Sequence, residues 1–280
     1  MPIKMIVTDL DGTFYYPDFT YNKKRFNKLL HQMHENHIHF CVASGNQYYQ
    51  LTSFFEHPET MSFIAENGGY IISENKEIFN SAISKKNINR LLDMIENREG
   101  IFMLLLCGKK SAYIKEDVPD DFYERILHHF PKLIKTNNFR DIDDTIMKVS
   151  LGCNDECIDA IRDDLATIMN NEMRMVSSGH RNIDIIQKEV HKGTSLKKLC
   201  DLKNIDLSEV MAFGDAMNDL EMLQEVGYGF AMINGKEELK QAIGRITHND
   251  NLHDGEFEIM EEYFANPEQF LLKYKKRMKP

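Results

Sequence analysis

The chain has 280 residues, of which 42% are hydrophobic, and its 34 basic residues against 44 acidic ones give a formal charge of −10. This composition is typical of a folded, soluble protein and excludes a disordered or fibrous chain. The length suffices for one large domain or two ordinary ones with a sizeable core.

The acidic charge argues against a protein that binds nucleic acids or anionic membranes, because both surfaces require clustered positive charge. The longest apolar run, residues 101–107, is far shorter than the ~20 residues that span a bilayer. The start of the chain lacks the apolar stretch of a signal peptide. We therefore expect a cytoplasmic monomer or homodimer with no nucleic-acid or membrane partner.

The cysteines are five in number and scattered, which does not indicate a disulfide framework. Cys153 and Cys157 are four residues apart on a predicted helix, a spacing that could hold a metal. No second cysteine or histidine pair completes a zinc site, so we interpret them as core or surface thiols.

Strand and helix signals alternate at the start of the chain. Short apolar runs predict strands at 3–8, 39–43 and 63–65. An apolar pattern with helical spacing begins at Phe26, and a second helical stretch covers 48–55. This alternation predicts parallel βαβ units.

The middle of the chain differs, because strand runs follow one another directly, which predicts an antiparallel α+β layer. Strands are predicted at 101–107, 111–114, 173–176 and 183–186, and helices at 87–95, 121–130 and 156–169. The alternation resumes with helices at 194–203, 218–226 and 237–243 and strands at 210–213 and 228–232. We predict an α/β fold in which a Rossmann-like parallel-sheet core, residues 1–83 and 189–280, is interrupted by an inserted α+β module at 84–188.

The segment Asp9-Leu10-Asp11-Gly12-Thr13 directly follows the first predicted strand. Ligands of open parallel sheets bind beyond the carboxyl ends of the strands. Asp9 and Asp11 lie on the same side of an extended backbone, and Gly12 permits the sharp turn that directs both towards one point. Such a pair can bind a divalent cation or divide nucleophile and acid/base roles, whereas the simpler alternative is a solvated turn.

A second acidic segment, Gly214-Asp215-Ala216-Met217-Asn218-Asp219, also follows an apolar strand. Asn218 and Asp219 stand three and four residues after Asp215, a spacing that a helix starting there would return to one face. Asp215 could equally serve only as a helix cap.

Two further segments offer donors that suit a phosphate group. Ser44, Gly45 and Asn46 lie between a predicted strand and a helix, where a hydroxyl and backbone N–H groups bind anions. Lys192 precedes another helix and brings an ammonium group. Each alone is commonly a cap or turn, but together the four segments suit Mg²⁺ bridging to a substrate phosphate.

In these segments the sequence resembles the haloacid dehalogenase-like phosphohydrolases, and among them the Cof-type phosphatases. Residues 9–13 look like the first motif of that family, Ser44 the second, Lys192 the third, and residues 214–219 the fourth. The resemblance identifies the inserted module, which lies between the second and third motifs, as a large cap domain.

The resemblance implies Mg²⁺-dependent hydrolysis through an aspartyl-phosphate. Asp9 would be the nucleophile, and Asp11 would protonate the leaving group and then activate water. Mg²⁺ would be held by Asp9, the backbone carbonyl of Asp11 and Asp215, with Asp219 behind them or acting through water.

The phosphate and substrate would be bound, by the same resemblance, by Ser44, Gly45, Asn46, Lys192 and Asn218. Many Cof-type relatives have arginine where this chain has Asn46. We therefore expect Asn46 to be only a polar group on the phosphate side.

The substrate is expected to be a small phosphorylated metabolite. Residues 43–51 and 250–255 are similar to the bacterial sugar-phosphatase branch, which favours sugar phosphates. The alternatives are a phosphomutase-type phosphotransferase, a phosphatase of cofactor phosphates such as pyridoxal phosphate or flavin mononucleotide, and a non-catalytic sensor of a phosphorylated ligand. In the cap, residues 179–182 are interpreted as a hairpin turn rather than a substrate loop.

Overall fold

Two β-sheets organise the protein, one of seven strands and one of six. They are seen in a computed structural model, which describes residues 2–177 and 181–274. The six-stranded sheet is built from the middle of the chain, and the seven-stranded sheet from the segments on either side of it.

The seven-stranded sheet is parallel through its first five strands and antiparallel at one edge. Its strands, in sheet order, are β13 (Tyr228–Ala231), β12 (Val210–Gly214), β1 (Met5–Thr8), β2 (His39–Ala43), β3 (Ser62–Ala65), β4 (Tyr70–Ser73) and β5 (Lys76–Asn80). The predicted α/β fold with a parallel core is confirmed. The antiparallel strands β4 and β5 were not predicted. A short 3-10 turn at Glu66–Gly68 reverses the chain, so that β4 pairs antiparallel with β3.

Helices cover both faces of this sheet. They are α1 (Lys23–Glu35), α2 (Tyr48–Ser53), α6 (Lys192–Lys203), α7 (Leu220–Glu225), α8 (Glu237–Ile243), α9 (Gly255–Ala265) and α10 (Pro267–Tyr274). The last two lie outside the predicted elements. None of the helices in the described ranges combines the length and the apolar character that crossing a bilayer requires.

The central strand β1 shows why its sequence does not alternate between apolar and polar residues. Met5 and Val7 pack in one cluster with Leu196 of α6, whereas Ile6 packs in the opposite cluster with Phe26 of α1. A strand with helices on both faces buries all of its side chains, so its sequence does not alternate.

The six-stranded sheet is antiparallel except at one pair. Its strands, in sheet order, are β10 (Met173–Ser177), β11 (Asn182–Gln187), β9 (Ile146–Cys153), β6 (Ile101–Gly108), β7 (Ala112–Lys115) and β8 (Leu133–Thr136). Its helices are α3 (Lys85–Ile95), α4 (Asp120–Leu127) and α5 (Ile158–Ile168). The predicted antiparallel α+β layer is confirmed for four of the five strand pairs, and only β7 and β8 pair in parallel, because α4 crosses over between them.

The prediction that Cys153 and Cys157 lie on one helix is wrong. Cys153 ends β9, where it pairs with Ile101, and Cys157 immediately precedes α5. All five cysteines are free thiols.

The six-stranded layer lies over the edge of the core sheet at which the parallel strands end. The Lys148 ammonium of β9 donates to the carbonyl oxygen of Gly45 at 2.6 Å. Asn67, which follows β3, donates to Asp184 of β11 at 2.9 Å. The chain enters and leaves this layer through neighbouring segments, since Gln187 donates to the carbonyl oxygen of Ala82.

Candidate active site

Three aspartates meet at the carboxyl edge of the core sheet. Asp9 follows β1 and Asp215 follows β12, and these strands are parallel neighbours with Thr8 opposite Phe213. Asp219 is fully buried beside them. One carboxylate oxygen from each of the three residues lies within 4.8 Å of the others. The register of two adjacent strands thus brings together residues that are far apart in sequence.

Lys192, the first residue of α6, supplies the positive charge nearest to the trio. Its ammonium nitrogen lies 3.0 Å from Asp9 Oδ1 and 2.6 Å from Asp219 Oδ1, and its side chain is 1% exposed. Burial alone would lower the pKa of Lys192, but the carboxylates of Asp219 and Asp9 outweigh burial and raise that pKa above its usual value. The lysine therefore stays charged.

Burial and the excess of carboxylates over cations disfavour ionisation of Asp9 and Asp215. Burial, together with the charges of Asp219 and Asp215, raises the pKa of Asp9 well above its ordinary value, although Lys192 opposes the shift. Burial and then Asp219 raise the pKa of Asp215 to about 7. A divalent cation among these oxygens would relieve the repulsion, and hard carboxylate ligands suit Mg²⁺.

The loop containing Gly12 closes tightly on Asp215. A Cβ atom at Gly12 would lie 2.6 Å from Asp215 Oδ2, and the backbone there has φ +73°. Glycine is required both for this close approach and for the left-handed conformation. The trio and this loop form a cradle that fits a small cation.

Asp219 is largely occupied in fixing the loop that carries Asp215. Its Oδ2 accepts hydrogen bonds from the backbone N–H groups of Asp215 and Ala216, each at 3.1 Å, while its Oδ1 pairs with Lys192. Asp9 and Asp215 are therefore better placed than Asp219 to contact a cation directly.

Asp11 is exposed and lies outside the trio, at the mouth of the site. The hydroxyl of Tyr15 donates to Asp11 Oδ1 at 2.7 Å, and the Asn46 amide donates to Asp11 Oδ2 at 2.8 Å. The carboxylate is thus held in one orientation while remaining accessible to solvent.

Ser44 follows β2, beside the end of β1, because Thr8 and Val42 are paired in the sheet. The Ser44 side chain is 1% exposed, and its Oγ accepts a hydrogen bond from the backbone N–H of Asn46 at 3.2 Å. The compact turn from Ser44 to Asn46 therefore lies at the same edge of the sheet as the trio.

Asn218 lies on the far side of the site. Its hydrogen bonds connect it to residues that the sequence did not predict. It donates to Asn67 Oδ1 at 3.1 Å, and Asn67 in turn donates to Asp184. Among the described residues, Asn218 Oδ1 accepts no hydrogen bond although it is buried. The position of Asn67 after β3 was a usable signal, because the other site residues also follow strands.

The segment 250–255 supports the first-motif loop from behind rather than entering the site. Asn251 donates to the carbonyl oxygen of Tyr15 at 2.9 Å, and Tyr16 donates to Asp254 at 2.6 Å. Of the segment 179–182, Gly179 and His180 lie outside the described residues. Arg181 pairs with Asp155, and only Asn182 reaches a cavity near the site.

The core sheet is interrupted after β5 by the inserted six-stranded layer, and its carboxyl edge carries the three aspartates and Lys192. Together these features define a class of hydrolases. Residues 6–259 match the model of the haloacid dehalogenase-like hydrolase family, and the chain belongs to it. Within the family it is a Cof-type phosphatase, a hydrolase of phosphoric monoesters, which confirms the predicted class of enzyme.

Similar proteins match over almost the whole chain. The Escherichia coli K12 5-amino-6-(5-phospho-D-ribitylamino)uracil phosphatase YbjI is 36% identical, and the match covers 96% of this chain and 99% of that protein. A Bacillus subtilis phosphatase with the same substrate name, YitU, is 25% identical over 93% and 97% of the two chains. The crystal structure of SMU.1108c from Streptococcus mutans superposes with a TM-score of 0.87 at 32% identity and covers 94% of this chain and 100% of that chain.

Proposed function

We propose that the protein is a Mg²⁺-dependent phosphatase that hydrolyses small sugar or polyol phosphates through an aspartyl-phosphate on Asp9. The observation that carries this proposal is the pairing of buried Asp9 with buried Lys192 inside a trio of carboxylates. A nucleophilic carboxylate must approach an anionic phosphate, which requires positive charge at that point. Lys192 provides part of this charge, and a cation would provide the rest.

The first step forms a bond between a carboxylate oxygen of Asp9 and phosphorus and breaks the ester bond. The leaving alkoxide takes a proton from Asp11. In the second step Asp11 takes a proton from water as that water attacks phosphorus, and the bond to Asp9 breaks to release phosphate. Asp11 suits both steps because it is exposed at the mouth and held by Tyr15 and Asn46.

The metal would be held by Asp9, the backbone carbonyl of Asp11 and Asp215, with Asp219 behind them. When bound, Mg²⁺ neutralises phosphate charge and orients the phosphate for in-line attack.

The phosphate oxygens that are not transferred need donors of their own. Ser44, the backbone of Gly45 and Asn46, Lys192 and Asn218 are proposed to supply them. Alignment and charge stabilisation account for most of the rate of phosphoryl transfer, so this set of donors is as important as the nucleophile.

The substrate class follows from the relatives together with the site. The Escherichia coli and Bacillus subtilis proteins are named for a substrate whose phosphate is carried on a ribityl chain. A phosphorylated polyol is also compatible with the sugar phosphates that the sequence favours. We therefore place the substrate among small metabolites with a hydroxylated carbon chain next to the phosphate.

The test is phosphate release from a panel of sugar, polyol and cofactor phosphates, with Mg²⁺ and with a chelator. Asp9→Asn is the inactive variant, and Asp117→Asn, which removes an exposed carboxylate, is the matched control. We expect release that requires Mg²⁺, persists in Asp117→Asn and disappears in Asp9→Asn. Acid-quenched enzyme should carry phosphate on the peptide that contains Asp9.

Three results would overturn the proposal. Release that continues at the normal rate in Asp9→Asn would exclude the nucleophile, and release unaffected by metal removal would exclude the role of Mg²⁺. Failure to hydrolyse any ester would exclude a general phosphatase of this substrate class.

A further inference from the structure

The first-motif loop contains a residue of high conformational freedom. Gly12 follows Asp11, whose backbone carbonyl is proposed to bind Mg²⁺, and it has a φ of +73°. Because glycine adopts many backbone conformations, a turn built on it is defined only where its peptide groups are held by hydrogen bonds. The peptide group after Gly12 is held in this way, since the side-chain amide of Asn234 donates to the Gly12 carbonyl oxygen at 2.8 Å.

Asn234 lies in a loop that is fixed to the Asp215 loop by backbone contacts. The loop comprises residues 232–236 and follows β13. The N–H group of Lys236 donates to the carbonyl oxygen of Asp215 at 2.8 Å. A Cβ atom at Gly235 would lie 2.8 Å from the same oxygen, so the two loops are in close contact. The loop after β13 therefore keeps a set position relative to Asp215.

The start of the loop after β13 is anchored as well. The N–H group of Met232 donates to the carbonyl oxygen of Gly214 at 2.9 Å. The N–H group of Ile233 donates to the hydroxyl of buried Thr247 at 3.1 Å. A loop held at both ends presents the side chain of Asn234 in one place, and that side chain joins the loop to the first-motif loop.

The amide group of Asn234 has a partner at each end. Its Nδ2 donates to Gly12, and its Oδ1 accepts a hydrogen bond from the backbone N–H of Asn251 at 3.4 Å. The side chain of Asn251 in turn donates to the carbonyl oxygen of Tyr15. Asn251 is buried whereas Asn234 is exposed, so the bond from Asn234 can be removed without leaving a cavity in the core.

The direct side-chain contact between the first-motif loop and Asp215 is weaker. The Thr13 hydroxyl lies 3.5 Å from Asp215 Oδ1, which is longer than an ordinary O–H···O hydrogen bond. The bond from Asn234 to Gly12 has an ordinary length. The spacing of the two loops therefore depends more on Asn234 than on Thr13.

The binding of Mg²⁺ is sensitive to such spacing. Mg²⁺ takes oxygen ligands at about 2.0–2.1 Å in nearly ideal octahedral geometry, whereas Ca²⁺ accepts about 2.3–2.6 Å and variable geometry. A small shift between the carbonyl of Asp11 and the carboxylate of Asp215 would therefore weaken the binding of Mg²⁺ more than that of Ca²⁺.

We propose that Asn234 is a positioning residue of the metal site, which sets the distance between the backbone carbonyl of Asp11 and the carboxylate of Asp215. It acts through its hydrogen bond to Gly12 and is not itself a ligand. The inference rests on the proposed Mg²⁺-dependent phosphatase function and deepens it, because it assigns control of metal affinity to a residue outside the ligand set.

The test is isothermal titration calorimetry of the full chain with MgCl₂ and, separately, with CaCl₂. We expect Asn234→Ala to raise the Kd for Mg²⁺ about 10-fold, because loss of a group that orients a metal ligand weakens metal binding by about that factor. The Kd for Ca²⁺ should rise less than about 3-fold. At saturating Mg²⁺, kcat should fall less than about 3-fold with KM unchanged. The metal-free Tm should change by less than about 4 °C.

Asn234→Asp separates the hydrogen bond from the effect of charge. The variant keeps the shape of the side chain but replaces the N–H donor with an oxygen that faces the Gly12 carbonyl oxygen. A negative charge near a cation by itself strengthens binding, so weaker Mg²⁺ binding in this variant identifies the lost donor as the cause. Asn249→Ala is the matched control. It removes another exposed amide, which donates to Glu258, and should leave both Kd values unchanged.

Four results would overturn the positioning role and leave the phosphatase proposal intact. They are a Kd for Mg²⁺ within about 2-fold of the wild-type value in Asn234→Ala, an equal loss in Asn249→Ala, stronger Mg²⁺ binding in Asn234→Asp, and equal weakening of Mg²⁺ and Ca²⁺ binding. A wild-type protein that binds no Mg²⁺ and releases phosphate from no ester would overturn the proposed function, and the positioning role with it. The wild-type titration and the wild-type rate of phosphate release thus distinguish the two failures.

Discussion

The phenol of Tyr15 donates a 2.7 Å hydrogen bond to the carboxylate of Asp11. The ring of Tyr15 is 3% exposed and packs against Phe19 and Phe54, with ring centroids 5.6 and 5.1 Å away. A buried, packed ring has little freedom to turn, so it holds the exposed Asp11 in one orientation. Because neither spacing nor motif indicated it, this contact adds a positioning residue to the predicted site.

Tyr15→Phe keeps the ring and removes only the donor. We expect kcat to fall about 10-fold with little change in KM, because Asp11 loses the hydrogen bond that orients it for proton transfer. The measurement is kcat and KM from pH 5 to 9 at saturating Mg²⁺.

Tyr21→Phe is the matched control for Tyr15→Phe. Tyr21 is also buried in the aromatic cluster, but its hydroxyl donates to the carbonyl oxygen of Phe54 and not to a site residue. An identical change in both variants would contradict the positioning role of Tyr15.

Asp215→Asn tests the crowding of the carboxylate trio. Without metal at pH 8 the variant should have a higher Tm than the wild type, because one of three neighbouring carboxylates loses its charge. Mg²⁺ should raise the Tm of the wild type by mass action and that of the variant little or not at all. Thermal unfolding with a Mg²⁺ titration measures both effects, and an equal Mg²⁺ response in the two proteins would contradict the cation site.

Gly12→Ala separates backbone strain from the close approach to Asp215. Gly244 has nearly the same φ, +71°, but a Cβ there would meet nothing within 4 Å, so Gly244→Ala is a matched control. Both variants should lose about 1 kcal/mol of stability from the left-handed conformation. Only Gly12→Ala should also require more Mg²⁺ for half-maximal activity, because the new methyl group displaces the Asp215 carboxylate. Identical Mg²⁺ titrations would show that the approach is unimportant.

Glu256 makes the stability of the core dependent on pH. Burial raises the pKa of Glu256 to about 8. Thr8 Oγ1 lies 2.6 Å from both the carbonyl oxygen of Asp9 and Glu256 Oε2. The Thr8 hydroxyl has a single proton, so it can donate to only one of these two oxygens. When Glu256 is protonated, it donates to the Thr8 hydroxyl while that hydroxyl donates to the carbonyl oxygen of Asp9, so both contacts are satisfied.

The sign of the effect follows from the proton count. Between pH about 4.5 and about 8 the folded state keeps this proton and the unfolded state loses it, so the free energy of unfolding falls as pH rises through that window. From pH 6 to 8 the loss is about 2 kcal/mol. Glu256→Gln should flatten this dependence, and Glu268→Gln, at an exposed position, should not. Chemical denaturation at pH 6, 7 and 8 is the measurement, and parallel curves for wild type and Glu256→Gln would contradict the assignment.

The sequence predicted the principal site segments because a general rule connects them. Asp9, Ser44 and Asp215 each follow a strand, and Lys192 begins a helix. Parallel strands end at one edge, so residues placed after them converge whatever their separation in the chain.

The cap side of the site could not be predicted in the same way. Lys148 and Asp184 lie inside strands, and their proximity depends on the antiparallel register that sets Asp184 opposite Ser150. No spacing in the sequence specifies that register, nor the way in which the cap sheet meets the core. A charged residue within an otherwise apolar strand was the only available signal.

The pairing of β1 with β12 has a consequence for the order of folding during synthesis. Met5 lies opposite Val210, so β1 gains its neighbour β12 only after the whole six-stranded layer has been synthesised. The six-stranded sheet draws all its strands from one continuous stretch and can assemble meanwhile. The cap is therefore expected to fold before the catalytic edge, which needs residues from both sides of the cap in the chain.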